Sequence, residues 1–132
     1  MTIVLDVSAA IQILLKKDRK KYFSEIYEKS SWVIAPDLYI AEITNVLWKY
    51  NKAGILSADE CQQYVEDGVA LIDDYFQTID LWKEVLGESI RYKHSSYDLF
   101  YAILARRNSG KLITNDKELE TICKKMKIEC NG

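Results

Sequence analysis

The chain has 132 residues, 48% of them hydrophobic, enough to bury a core without disulfide staples. Its 18 Lys and Arg against 20 Asp and Glu leave a net charge of −2, so any hold on nucleic acid must come from local clusters. No apolar run approaches membrane-spanning length, and the opening MTIVLDVSAA lacks the basic segment of a secretion signal.

In chain order, Thr2 to Leu5 is uniformly apolar, the pattern of a strand covered on both faces, and an amphipathic helix runs from Ser8 to Leu15. A charged helix from Arg19 to Lys29 leads to a strand at Trp32 to Ala35, where Pro36 and Asp37 stop the strand and cap the next helix. That helix carries an apolar stripe of Tyr39, Ile43, Val46, Leu47 and Tyr50 and closes at Asn51 to Gly54. Ser57 and Glu60 have the spacing of a capping box, opening a helix toward Ile72.

A strand is predicted at Phe76 to Ile79, followed by helices at Leu81 to Arg91 and Ser96 to Arg107, the latter ended by Gly110. Lys111 to Thr114 is predicted as strand, Asp116 to Lys125 as helix, and Ile128 to Cys130 as a short terminal strand. Strands alternating with helices, without repeat or linker, predict one domain over residues 1 to 132. Its architecture is a three-layer α/β/α fold around a central parallel sheet of four to five strands. Cys61, Cys123 and Cys130 are odd in number and lack CxxC spacing, which predicts reduced thiols and a cytoplasmic setting.

Four acids fall where such a sheet gathers its ligands: Asp6 after the first strand, Glu42 on the third helix, Asp98 opening another helix, and Asp116 after the last clear strand. Taken singly, each has a plain structural role. Asp6 could cap the first helix, although a charge ending a buried strand needs a partner or a metal to offset desolvation. Glu42 sits at the rim of an apolar stripe and could form a half-buried salt bridge with a lysine. Asn45, one turn on, could orient it or point to water. Asp98, three residues after Ser95, and Asp116 could both serve helix caps. Four independent caps are a less economical account of all four than one shared site.

The motif contexts carry a resemblance. IVLDVSA is similar to the opening strand of the PIN-domain ribonucleases, with Asp6, a variable residue and Ser8; AEITNVLWK resembles their helix bearing a glutamate, here Glu42. YDLFYAILA resembles their helix with an aspartate and a tyrosine three residues on, Asp98 and Tyr101; LITNDKEL resembles their strand ending in Thr114, a variable residue and Asp116. The likeness runs from Met1 to the end of the last helix and is closest to the small VapC-type toxins. Ile103 departs from it where the family often has alanine, a difference of packing more than chemistry.

The resemblance implies a divalent-metal-dependent endoribonuclease that hydrolyses RNA phosphodiester bonds, acting as the toxin of a toxin–antitoxin pair. Hard Mg²⁺ or Mn²⁺ takes oxygen ligands and keeps several waters, so carboxylates suffice and no Cys or His cluster is needed. Asp6, Asp98 and Asp116 would be direct or water-mediated ligands, with Glu42 a ligand or a base that orients water. Ser8, Asn45 and Thr114 would support the ligands from behind. A homodimer and a small antitoxin protein are the implied partners, with no membrane.

Basic clusters at Lys16, Lys17, Arg19, Lys20 and Lys21, at Arg106, Arg107 and Lys111, and at Lys124, Lys125 and Lys127 offer phosphate contacts or merely solvated helix ends. Tyr97 and Tyr101 beside Asp98 are the aromatics placed to meet a base. The lone His94 cannot build a multi-histidine zinc site and has a surface or hydrogen-bonded role. Two other classes stay open. One is a PIN fold kept as a noncatalytic RNA- or protein-binding module. The other is a receiver-like phosphoacceptor, for which the strand near Ile79 offers only Asp80.

Overall fold

In the computed structural model, which describes residues 1–132, the apolar run Thr2–Leu5 forms strand β1. Its successive side chains Ile3, Val4 and Leu5 are each 0% exposed, so both faces of the strand are covered. Trp32–Pro36 is β2, Asp74–Phe76 is β3 and Lys111–Ile113 is β4. They form one sheet in the order β3-β2-β1-β4, with every pairing parallel.

Helices α1 (Val7–Leu14) and α2 (Lys20–Lys29) connect β1 to β2, and α3 (Leu38–Lys52) and α4 (Ala58–Ala70) connect β2 to β3. Helices α5 (Trp82–Tyr92) and α6 (Ser96–Arg107) lead to β4, and α7 (Lys117–Lys125) follows it. This is the α/β architecture expected from the alternation of apolar periods. Parallel strands bring all their C-terminal ends to one edge. There Leu5 lies opposite Ile113, and the amide of Asp6 donates to the Ile113 carbonyl at 3.0 Å. Asp6 and Thr114 therefore leave the sheet side by side.

The expected stripe of α3 is the one that packs: Tyr39, Ile43 and Leu47 are buried, with Val46 and Tyr50 half-buried. The Ser57 capping box forms with both of its bonds, Glu60 N–H to Ser57 Oγ at 3.1 Å and Ser57 N–H to Glu60 Oε1 at 3.0 Å. Helix α4 approaches α3 and α1 through Gly68, where a β-carbon would collide with Ile43 and crowd Leu14. The same close approach lets the buried Tyr39 hydroxyl donate to the Gly68 carbonyl at 2.7 Å. Helix α6 is apolar nearly all round, with Leu99 and every residue from Tyr101 to Ala105 buried, so the volume of Ile103 is taken up inside the core.

Three elements depart from expectation. Strand β3 forms at Asp74–Phe76, not Phe76 to Ile79. Asp73 pins this earlier register by exchanging bonds with Val33, its amide donating to the Val33 carbonyl at 2.8 Å and its carboxylate accepting the Val33 amide at 2.8 Å. Thr78–Asp80 then turns as a 3-10 helix, its first amide donating to Asp37 Oδ1 at 3.2 Å. Asp37 thus serves that turn and makes no side-chain cap for α3. The predicted terminal strand is reduced to a single parallel bridge between Leu112 and Cys130. The three cysteines are free, as expected, and no helix is long and apolar enough to cross a membrane.

Candidate active site

Asp6 occupies the N-cap position of α1 with an extended backbone, yet its carboxylate makes no cap bond. Its Oδ2 instead accepts the Ser8 hydroxyl at 2.6 Å and the Thr114 hydroxyl at 2.7 Å. Each hydroxyl is oriented by a backbone donor, the Asn115 amide to Ser8 Oγ at 2.9 Å and the Asp116 amide to Thr114 Oγ1 at 3.0 Å. A hydroxyl that already accepts such a bond has its own proton free to point at Asp6. Both bonds land on one carboxylate oxygen, so Oδ1 is left to face other groups in the cleft.

Thr114 is itself fixed from behind. It is 0% exposed, and the side-chain amide of Asn131 meets both of its backbone groups, accepting from the amide and donating to the carbonyl, each at 2.9 Å. Asn131 adopts φ +59°, a left-handed conformation that asparagine tolerates better than most residues. No sequence signal marks this contact, because a side-chain amide standing in for a strand leaves no period to read.

Glu42 projects from α3, and its partner is not a lysine. The Tyr101 hydroxyl on α6 donates to Glu42 Oε1 at 2.5 Å. Burial pushes the Glu42 carboxyl up to about 7; the Tyr101 bond opposes this, while the negative charges of Asp6 and Asp98 add to it. Asp6 is likewise raised, first by burial and also by Asp98, against the pull of its two hydroxyl bonds. Tyr101 is driven far above the ordinary phenol range by burial and by the nearby carboxylates, which keeps it a proton donor.

Asp98 is reached by His94, one helical turn before it, with Nε2 2.8 Å from Oδ2. The Ser95 side chain makes no cap bond, so the cap reading fails there. It holds at Asp116, whose carboxylate accepts the Glu118 amide at 2.9 Å and caps α7. The His94 contact had a signal in its spacing of four from Asp98, but a histidine near a helix start is ordinarily a surface residue.

Asp6, Glu42, Asp98 and Asp116 line one cleft of about 350 Å³, together with Ser8, Gln12 and Lys17. Asn45 is exposed and lines a separate groove with Asp37, Ile40 and Trp48. Two larger grooves beside α3, of about 590 and 820 Å³, contain one acidic residue each, Glu66 and Asp37. The chemistry therefore concentrates in the smaller cleft.

No three acidic, histidine or cysteine side chains converge tightly enough to make a closed metal cage. The cleft still fits a hard divalent cation. Its donors are carboxylate oxygens and hydroxyls, none of the four acids pairs with a lysine or arginine, and two of them are held above their ordinary protonation range. Uncompensated carboxylates crowded in this way favour a cation, and one that keeps its own waters does not require a closed cage.

The fold and this cleft define a class. The PIN domain model matches residues 3–125, and the chain belongs to the PIN domain family. It is distantly related to VapC ribonuclease toxins: Ribonuclease VapC3 of Pyrobaculum aerophilum is 25% identical over 125 residues, covering 90% of this chain and 92% of that protein. The crystal structure of PAE2754 from Pyrobaculum aerophilum superposes with a TM-score of 0.71 at 20% identity, over 90% of this chain and 82% of that one. VapBC2 from Rickettsia felis, solved bound to a DNA fragment from its promoter, gives 0.64 at 17% identity over 92% of both chains.

Proposed function

We propose that this chain is a divalent-metal-dependent endoribonuclease and the toxin of a toxin–antitoxin pair. The observation that carries the reading is the Asp6 carboxylate, fixed on one oxygen by Ser8 and Thr114 in a cleft shared with three further acids. Asp6, Asp98 and Asp116 would hold Mg²⁺ or Mn²⁺, which when bound supplies Lewis acidity and an activated water. Ser8 and Thr114 keep Asp6 from rotating, and His94 does the same for Asp98. Glu42, poised at about 7, can take a proton from water at neutral pH, with Tyr101 fixing which oxygen faces the cleft.

The distant relation to VapC toxins and the likeness to the fold of VapBC2 support a small antitoxin protein as partner. A homodimer is supported by the exposed apolar stripe of Ile79, Trp82, Leu86 and Ile90 along the 3-10 turn and α5. Free cysteines support a reducing, cytoplasmic setting.

Cleavage of a panel of structured and single-stranded RNAs tests the reading. Wild-type protein with Mn²⁺ should cut at least one, and chelator, Asp6→Asn and Asp98→Asn should each abolish the cut. RNA bound but left intact by wild type with Mn²⁺ would turn the reading to a noncatalytic binding module.

A further inference from the structure

Lys17 is the only basic side chain lining the acidic cleft. Its place is built by one buried residue. After α1 the chain reverses at Lys16, with φ +52°, and Gln12 holds both sides of the reversal. The Gln12 carbonyl accepts the Lys17 amide at 3.0 Å, and the Gln12 side-chain oxygen accepts the Arg19 amide at 3.0 Å. Gln12 is 7% exposed, which is costly for a polar side chain unless it is bonded in this way.

The Lys17 ammonium stays out of the acids. It forms an ion pair with none of them, and it lies 5.1 Å from the centroid of the Tyr50 ring on α3. A lysine serving to neutralise the carboxylates would sit among them and compete with a metal. One held aside on an aromatic face leaves a gap between positive and negative walls, and a phosphodiester spans such a gap when a cation is bound on the acidic side. Lys20 and Lys21, on the exposed side of α2, do not reach the cleft.

We propose that Lys17 is the substrate-anchoring residue of the cleft, its ammonium binding an RNA phosphate next to the one cleaved. This rests on the ribonuclease reading above, and the experiment separates the two. With a labelled single-stranded RNA and Mn²⁺, Lys17→Met should raise KM about tenfold and leave kcat within twofold, whereas Lys17→Arg should stay near wild type and Lys20→Met should not matter. In parallel, binding of the same RNA is titrated by anisotropy against salt in the Asp98→Asn background. Lys17→Met should weaken binding there and flatten the log–log salt slope by about 0.7, the value for one phosphate contact on a single strand.

An unchanged KM and salt slope would overturn the anchoring role, as would a fall in kcat with KM intact. A wild-type protein that cuts no RNA would overturn the ribonuclease reading instead, and the binding titration would still decide whether Lys17 holds phosphate.

Discussion

The hydroxyl of Tyr101 donates to Glu42 Oε1 at 2.5 Å, tying α6 to α3 through two side chains that are both removed from bulk water. The bond opposes the upward push of burial on Glu42. Tyr101→Phe should therefore raise the Glu42 pKa further above about 7 and move the acidic limb of the pH–rate profile to higher pH. Urea unfolding at pH 8 should show a loss of about 1–2 kcal/mol, since a charged acceptor is left short of a donor. An unshifted profile would mean that Glu42 does not govern that limb.

A raised carboxyl also makes the metal-free fold sensitive to pH in an unusual direction. Between the ordinary Glu42 value of 4.5 and its folded value of about 7, the native state holds a proton that the unfolded chain has lost. Stability must then fall as pH rises through this window, with no penalty below it and the full penalty above it. Glu60 and Glu84 are shifted the other way, but their effect lies below the ordinary carboxylate range and so outside the window. Melting in chelator from pH 4.5 to 8 should show a steeper decline for wild type than for Glu42→Gln. Parallel curves would contradict it.

Bound cation should relieve the crowding of the acids. At a hundred times its dissociation constant a ligand adds about 2.7 kcal/mol, on the order of 10 °C in melting temperature for a chain of this size. Mn²⁺ should give wild type such a shift at pH 7.5 and give Asp98→Asn much less. His94→Ala, which frees Asp98 to rotate, should weaken Mn²⁺ binding about tenfold by calorimetry. Equal shifts in wild type and Asp98→Asn would place the cation elsewhere.

Asn131 predicts a structural effect at a distance from the carboxylates. Asn131→Gly keeps the positive φ accessible but strands the buried amide and carbonyl of Thr114, at a cost of about 1–3 kcal/mol. Asn131→Ala should lose about 1 kcal/mol more, because alanine resists the left-handed conformation. Denaturant midpoints compare the two directly, and a neutral Asn131→Gly would show that the amide clamp contributes nothing.

The sheet was legible because β1 is apolar on both faces and its neighbours alternate with long amphipathic helices. Asp6, Glu42, Asp98 and Asp116 could be placed in one cleft for the same reason: parallel strands deliver their ends to a common edge. What escaped the sequence were side chains acting across elements. The apolar letters of Phe76 and Ile79 suggested a strand, whereas Asp73 fixed its start earlier by bonding Val33. Asp6 carries the composition of a cap but spends its carboxylate on Ser8 and Thr114, and Asp116, with the same composition, does cap. Asn45 follows Glu42 by less than one turn and so faces a different groove. The Tyr101, His94 and Asn131 bonds depend on rotamers that no spacing rule encodes.

The pairing of Asp6 with Thr114 joins residues 108 positions apart. During synthesis β1 emerges first and can find β2 soon after, but its other neighbour, β4, is among the last segments made. A chain interrupted before residue 111 would own Asp6, Glu42 and Asp98 and still lack the hydroxyl and the fourth acid that organise them. The order of the strands thus acts as a safeguard in time, keeping a ribosome-bound fragment from carrying a finished cleft while it is still attached to the machinery that makes it.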